Sequence, residues 1–171
     1  MNKTEEDVFR VYQETFKGIY ADLVVTAEKK PAGILEQLEH CFSHFAVAKT
    51  SADHTVIQEN INRAYGHIVR ASLDAAKLLW SELRERAEKF VTDEEIRRFC
   101  INTSVGVVYS KLQNAERLSL RARRSEIENI GIDPELSIAE WCEATLAYQE
   151  LYDLIDLDRV KQYQQAKPST S

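Results

Sequence analysis

Residues able to turn a chain are nearly absent from this one. Only 5 of 171 residues are glycine and 3 are proline. Those that would break structure fall at Pro31-Ala32-Gly33, at Gly131 with Pro134, and at Pro168 near the end. A backbone with so few turning positions is confined to long regular segments. Plentiful Leu, Ala, Glu, Gln, Lys and Arg makes those segments helices, and no strand-like alternation or internal repeat competes with them. The expected fold class is all-α, an antiparallel bundle of about five helices. A chain of this length supports one core and is too short for two. We therefore expect a single domain over residues 1–166 and a disordered tail at 167–171.

The apolar rhythm places the helices. Val8, Phe9, Tyr12, Phe16, Ile19, Tyr20, Leu23 and Ala27 step by three and four, predicting a first helix over about 5–29 with one buried stripe. Ile34, Leu38, Cys41, Phe42 and Phe45 predict a second over about 33–49, and Ser51 or Asp53 is placed to cap the next. Ile57, Ile61, Ala64, Ile68, Ala75, Leu79 and Leu83 carry a long third helix over about 54–90. Thr92-x-x-Glu95 reads as a capping box starting a fourth. The first half of that helix, IRRFCINTSVGVVY, is apolar on nearly every side and is expected to be central. Its second half, KLQNAERLSLRARRSEIENI, is charged. Gly131 ends it, and Asp133-Pro134 opens a fifth helix with an N-cap and an N1 proline. Trp141, Tyr148, Leu151, Tyr152 and Ile155 form the stripe of that helix.

The net charge of −6 opposes binding to nucleic acid or acidic membranes except through a local basic patch. The three cysteines, Cys41, Cys100 and Cys142, lie far apart among apolar neighbours. They read as reduced, buried thiols of a cytoplasmic protein rather than a disulfide framework. The acidic opening MNKTEEDVFR has no signal-peptide core, and no apolar run approaches the roughly 18 residues of a membrane span.

Within ENINRAYGHIVRASLDAAK, residues 59–77, Arg63, His67, Arg70 and Asp74 recur every three or four positions. At about 100° per residue they share one strip, well away from the apolar stripe. One reading makes this a solvated face with an Arg70–Asp74 pair worth a few tenths of a kcal/mol. The other makes Arg63, His67 and Arg70 a phosphate- or RNA-binding groove in which His67 moves a proton near neutral pH.

A helical hairpin ending HFAVAK, followed by ENINRAYGHIVRASLDAAK on a long helix, resembles the HEPN superfamily of prokaryotic helical bundles over roughly residues 33–90. Members of that superfamily serve antiviral defence, toxin–antitoxin pairs and RNA processing. Its active members are ribonucleases with an Arg and a His separated by four to six residues, set at a two-fold dimer interface. Here Arg63 and His67 are separated by three residues, and no histidine follows Arg97-Arg98. The resemblance thus implies a bundle that dimerises or joins a larger complex, as an adaptor rather than a nuclease.

Glu36, His40 and His44 follow at i, i+4, i+8 on the second helix. Two histidines four apart can chelate a divalent ion. The eight-residue spread of about 12 Å keeps all three from one ion, and neither His54 nor His67 has a spacing that supplies a further ligand. Arg117, Arg121, Arg123 and Arg124 are the strongest basic run, with Arg117, Arg121 and Arg124 on one stripe. That stripe suits a protein partner better than nucleic acid, because no base-stacking aromatics accompany it. Residues 133–160 oppose it with eight acidic residues against Arg159. The two helices are expected to pair internally or across a self-contact that sets the arginines against Asp153 and Asp156. Covalent catalysis has no supporting motif, since Cys41 faces the core and no nucleophile elbow or phosphate loop exists. No cofactor is expected. The reading is a non-catalytic, self-associating interaction or adaptor subunit of a prokaryotic multi-component system, with defence as the context implied by the resemblance. The alternatives are an RNA-binding or RNA-cleaving protein acting across a dimer through Arg63, His67 and Arg70, and a small metal-binding bundle.

Overall fold

A computed structural model describes residues 2–130 and 132–166. Gly131 and the expected disordered tail at 167–171 lie outside the described residues. α1 (Glu5–Arg10), a π-helical segment (Val11–Phe16) and α2 (Lys17–Ala27) run on as one continuous helix. α3 (Ala32–Thr50), α4 (His54–Thr92), α5 (Glu94–Phe99), α6 (Val105–Glu128), α7 (Pro134–Tyr152) and α8 (Leu157–Ala166) follow. The chain is all-α, with seven helices among the described residues rather than about five. Among those residues no helix is long and apolar enough to cross a membrane.

The two additional helices arise from breaks inside segments that read as single. Asn102-Thr103-Ser104 interrupts the fourth predicted helix, because side-chain oxygens of such residues compete with the helical backbone. Ser104 then caps α6 by accepting from the Val107 N–H. Ile101 turns inward to bridge Ile155, and the Asp156 N–H donates to the Cys100 carbonyl at 2.8 Å. The same contact closes the second break, where the Asp156 carboxylate accepts from the Arg159 N–H in the first turn of α8. With the break in place, Val105, Val107 and Tyr109 are exposed, so this segment is not the central helix.

Caps follow the expected chemistry with one shift. Asp53 accepts from the Thr55 N–H at 2.8 Å, and Asp133 stands before Pro134 as N-cap of α7. Asp93, not Thr92, caps α5, taking both the Glu95 and Ile96 N–H groups at 3.0 Å. Thr92 remains in α4, its hydroxyl donating to the Glu88 carbonyl. α2 ends two residues early, at Ala27, and is closed by Glu28, whose φ of 54° is the left-handed conformation that ends a helix.

The π segment explains which face of the first helix is buried. Val8, Val11, Phe16 and Leu23 are the buried residues there. Val11 and Phe16 are five apart, a spacing that an α-helix would set about 140° out of line. The i→i+5 bond from the Lys17 N–H to the Tyr12 carbonyl adds a residue to that turn and brings Phe16 back onto the buried line. Phe9 and Tyr12, expected in the stripe, are displaced to the surface as a result. They border an open apolar groove of about 550 Å³ against Phe42 and Phe45 of α3. Phe9 stacks on Phe45 with centroids 5.4 Å apart, and Phe42 is 75% exposed.

The central element is α4. Its 39 residues span roughly 58 Å at 1.5 Å per residue. It packs against the π segment and α2, against α3, and against α7. Ala64, Ala71, Ala75, Ala76, Ala87 and Ser72 are all fully buried along it. Small side chains let several helices approach one axis closely, while Ile68, Leu79, Leu83 and Val91 fill the wider gaps. Each such aliphatic side chain contributes about 1.5–3 kcal/mol on burial. The Ser72 hydroxyl donates to the Ile68 carbonyl and leaves no unmet polar group.

Candidate functional site

A cleft of about 580 Å³ opens where α4, α6 and α7 meet. Its floor is aromatic. Trp80 and Trp141 lie 4.9 Å apart at 60°, and Tyr148 meets Trp80 edge-on at 6.4 Å. Each ring is fixed by its polar edge. Trp80 Nε1 donates to Ser119 Oγ at 2.9 Å, Trp141 Nε1 to Glu126 Oε2 at 3.2 Å, and the Tyr148 hydroxyl to Glu88 Oε1 at 3.3 Å. Trp141 and Tyr148 are 4% and 1% exposed, so they form a floor and not a stacking platform.

Above the floor stands a charged rim. Arg84 lies over the Trp80 ring at 5.3 Å and pairs with Glu88 at 2.8 Å. Lys77 and Arg123 share the Glu126 carboxylate at 2.9 and 3.1 Å. Burial raises the Glu126 pKa, but the bonds from Lys77, Arg123 and Trp141 outweigh it and hold the group below its ordinary value. Burial, then the Glu88 charge, pushes Tyr148 up to about 12. Neither group changes protonation near neutral pH.

The arginine stripe of α6 divides between two tasks. Arg121 turns to α7 and pairs with both Glu140 and Glu143, and Lys111 reaches Glu150 at 2.8 Å. The basic and acidic helices therefore pair within the molecule. Asp153 accepts from Gln149 and Asp156 pairs with Arg159, so neither meets the arginines of α6. Among the described residues Arg117 bonds only the Asn114 side chain, at 2.8 Å. Among the described residues Arg124 is exposed and has no ion-pair partner. Leu120 and Ile127, between and beyond these arginines, are 62% and 57% exposed.

The strip on α4 is not a uniformly solvated face. Arg63 is exposed and only loosely paired, 3.9 Å from Glu59. His67 is half-buried against α3, with Nδ1 2.8 Å from Gln37 Oε1. Arg70 also donates to that oxygen, at 3.3 Å, in place of the expected bond to Asp74. His44 Nδ1 lies 2.8 Å from Asn60 Oδ1, while the Asn60 amide N–H group donates to the Val56 carbonyl. Both amide oxygens can only accept, so each imidazole donates through Nδ1. The His67 ring is 5.2 Å from both His40 and His44. Burial first, then the charges of Arg70, His44 and His40, lowers the His67 pKa.

Two strips that the sequence presents separately are thus one histidine seam between α3 and α4. Spacing along either helix carries no signal for this, because it depends on the register between them. The rings of His44 and His67 stack only 18° from parallel, and in-plane lone pairs of stacked rings do not converge on one ion. Among the described residues no group of three or more His, Cys, Asp or Glu side chains is arranged to hold a metal. The cysteines are all free. Cys41 and Cys100 are buried and Cys142 is half-buried. Burial pushes the Cys41 thiol up to about 11, which removes it as a nucleophile. Searches against protein-family models, curated proteins and solved structures return no match to this chain.

Proposed function

We propose that this chain is a non-catalytic protein-interaction module, an adaptor subunit of a prokaryotic multi-component system, working in the cytoplasm and associating with itself. Antiparallel packing of successive helices about α4 is part of that reading, as is the defence context that the HEPN-like resemblance implies. The observation that carries it is the cleft between α4 and α6. An aromatic floor under a cationic rim is what an interface anchor requires, and the ionisable groups nearest the floor are tied into ion pairs. Exposed Phe9 and Phe42 supply further apolar surface for association.

The first test is native mass at low salt over a dilution series. An assembly larger than the monomer that dissociates on dilution supports self-association, and a monomer at every concentration overturns that part of the proposal. A second reading rests on the seam. His67 and Arg70 share Gln37, with Arg63 exposed nearby, which suits an RNA-binding or RNA-cleaving role across a dimer. Incubation with a structured RNA separates the two. An interaction module leaves the RNA intact with or without His67→Ala, whereas cleavage abolished by that substitution establishes the ribonuclease.

A further inference from the structure

We infer that the cleft between α4 and α6 docks an acidic helical segment of a partner protein, which sets a large apolar side chain against Trp80 and Leu120 and carboxylates against Arg117 and Arg124. The inference rests on the interaction-module reading and names the partner's chemistry.

Charge is the first argument. The chain is net negative at −6, yet Lys77, Arg84 and Arg123 line this cleft, and Arg117 and Arg124 stand on the adjoining outer face of α6. Beside them are four carboxylates, Glu88, Glu116, Glu126 and Glu128. Glu126 is shared by two of the cations and Glu88 is held by Arg84. One positive charge therefore stays in excess, and among the described residues Arg117 and Arg124 are the cations that no carboxylate pairs. A surface of this sign on an acidic protein selects an acidic ligand.

Spacing is the second argument. Arg117, Leu120, Arg124 and Ile127 step by three, four and three. At about 100° per residue they fall within a sector of about 80° on α6. The two arginines stand roughly 10 Å apart along the axis, as do the two aliphatic side chains. A helix lying along α6 matches this with carboxylates seven residues apart and apolar residues seven residues apart. The cleft beside Leu120 admits the larger apolar residue, and Trp80 with its bonded indole N–H presents a fixed wall for it.

Other occupants fit less well. A second copy offers α7 as its acidic helix, but there Glu140 and Glu143 are engaged by Arg121, and Glu150 by Lys111. Single-stranded nucleic acid stacks successive bases on several open aromatic faces, whereas Trp141 and Tyr148 are buried floor residues and leave Trp80 alone in this cleft.

The chain contains two tryptophans, and both are in the cleft, so intrinsic fluorescence reads occupancy directly. The probe is a tryptophan-free, alanine-based helical peptide of three heptads with one Leu and one Glu repeated every seven residues. Titration into the full chain at low salt should shift the tryptophan emission saturably. Arg117→Glu with Arg124→Glu should weaken binding on the order of tenfold or more, and a peptide with Lys in place of Glu should recover it on that variant. Circular dichroism serves as the folding control, since both arginines are exposed and their replacement leaves the core intact. No emission change with the acidic peptide, or equal affinity for the arginine variant, overturns the assignment. So does an equal response to an oligouridylate. If the peptide fails while the chain still self-associates, the cleft assignment falls and the module reading stands. If RNA is cleaved through His67, the module reading falls whatever the peptide does.

Discussion

Whether a buried polar group has partners decides the sign of its substitution. Glu126 accepts from Lys77, Arg123 and Trp141 at once. Glu126→Gln keeps the shape and removes the charge that two cations share. We expect it to destabilise by about 1–3 kcal/mol, because hydrogen bonds to charged groups contribute about that much. A lower urea midpoint at unchanged slope checks this. Ser137 is the opposite case, 1% exposed with a hydroxyl that finds no hydrogen-bond partner. Ser137→Ala should be neutral or stabilise by up to about 1 kcal/mol, since the unmet hydroxyl carries a desolvation cost that alanine lacks. A clear loss of stability would show that the hydroxyl is bonded in solution. Residues of this kind are only partly legible in sequence. Asp53 and Asp133 announce themselves as caps, because their partners are two residues away. The partners of Glu126 are 49, 3 and 15 residues away, and nothing in local spacing connects them.

Among the elements, what the sequence conveys is the existence and type of each helix, and what it misses is register. The π turn at Val11–Phe16 moved Phe9 and Tyr12 from the expected stripe to the groove. The break at 100–104 exposed a segment whose composition alone reads as core. The histidine seam is the functional consequence of register, and it makes α3 sensitive to pH. The groups facing His67 are His40 and His44 from α3 and Arg70 from its own helix, none of which is acidic. Its folded pKa lies below the 6.5 of the unfolded chain. The unfolded state therefore binds more protons just below pH 6.5, so the contribution to stability is complete above 6.5 and is lost as pH falls. Glu126 and Glu135, both held below the ordinary 4.5, lose their contributions only at lower pH. We expect the midpoint of urea unfolding to decline between pH 6.5 and 5, and His67→Gln to flatten that decline. A wild-type profile level across this window would show that the seam does not sense protons.

Across the whole molecule, α4 is the axis on which both halves of the chain pack, and the Arg10–Glu135 pair ties α1 directly to α7. α1 to α3 hold to it, α7 packs on it elsewhere, and α6 attaches chiefly through α7. Composition foretold the all-helical class, since five glycines and three prolines leave little else. It did not foretell which helix would be central, because the deciding residues are alanines, which count weakly in any apolar stripe. Fully buried Ala71, Ala75 and Ala76 set how closely the neighbouring helices approach. Enlarging one of them should therefore be worse than trimming a large residue from the outside of the same helix. Ala75→Leu inserts a side chain where no space exists and should cost about 1–3 kcal/mol or more. Leu78→Ala, at a position 40% exposed, should cost less than about 1 kcal/mol, because little burial is lost. Tryptophan emission reports the α4–α7 side and far-ultraviolet circular dichroism reports every helix. If α4 unites the two halves, Ala75→Leu lowers both transitions by the same amount and they remain coincident. A variant in which the tryptophan signal unfolds at one urea concentration and the helical signal at another would mean that the halves fold independently, with α4 joining them but not coupling them.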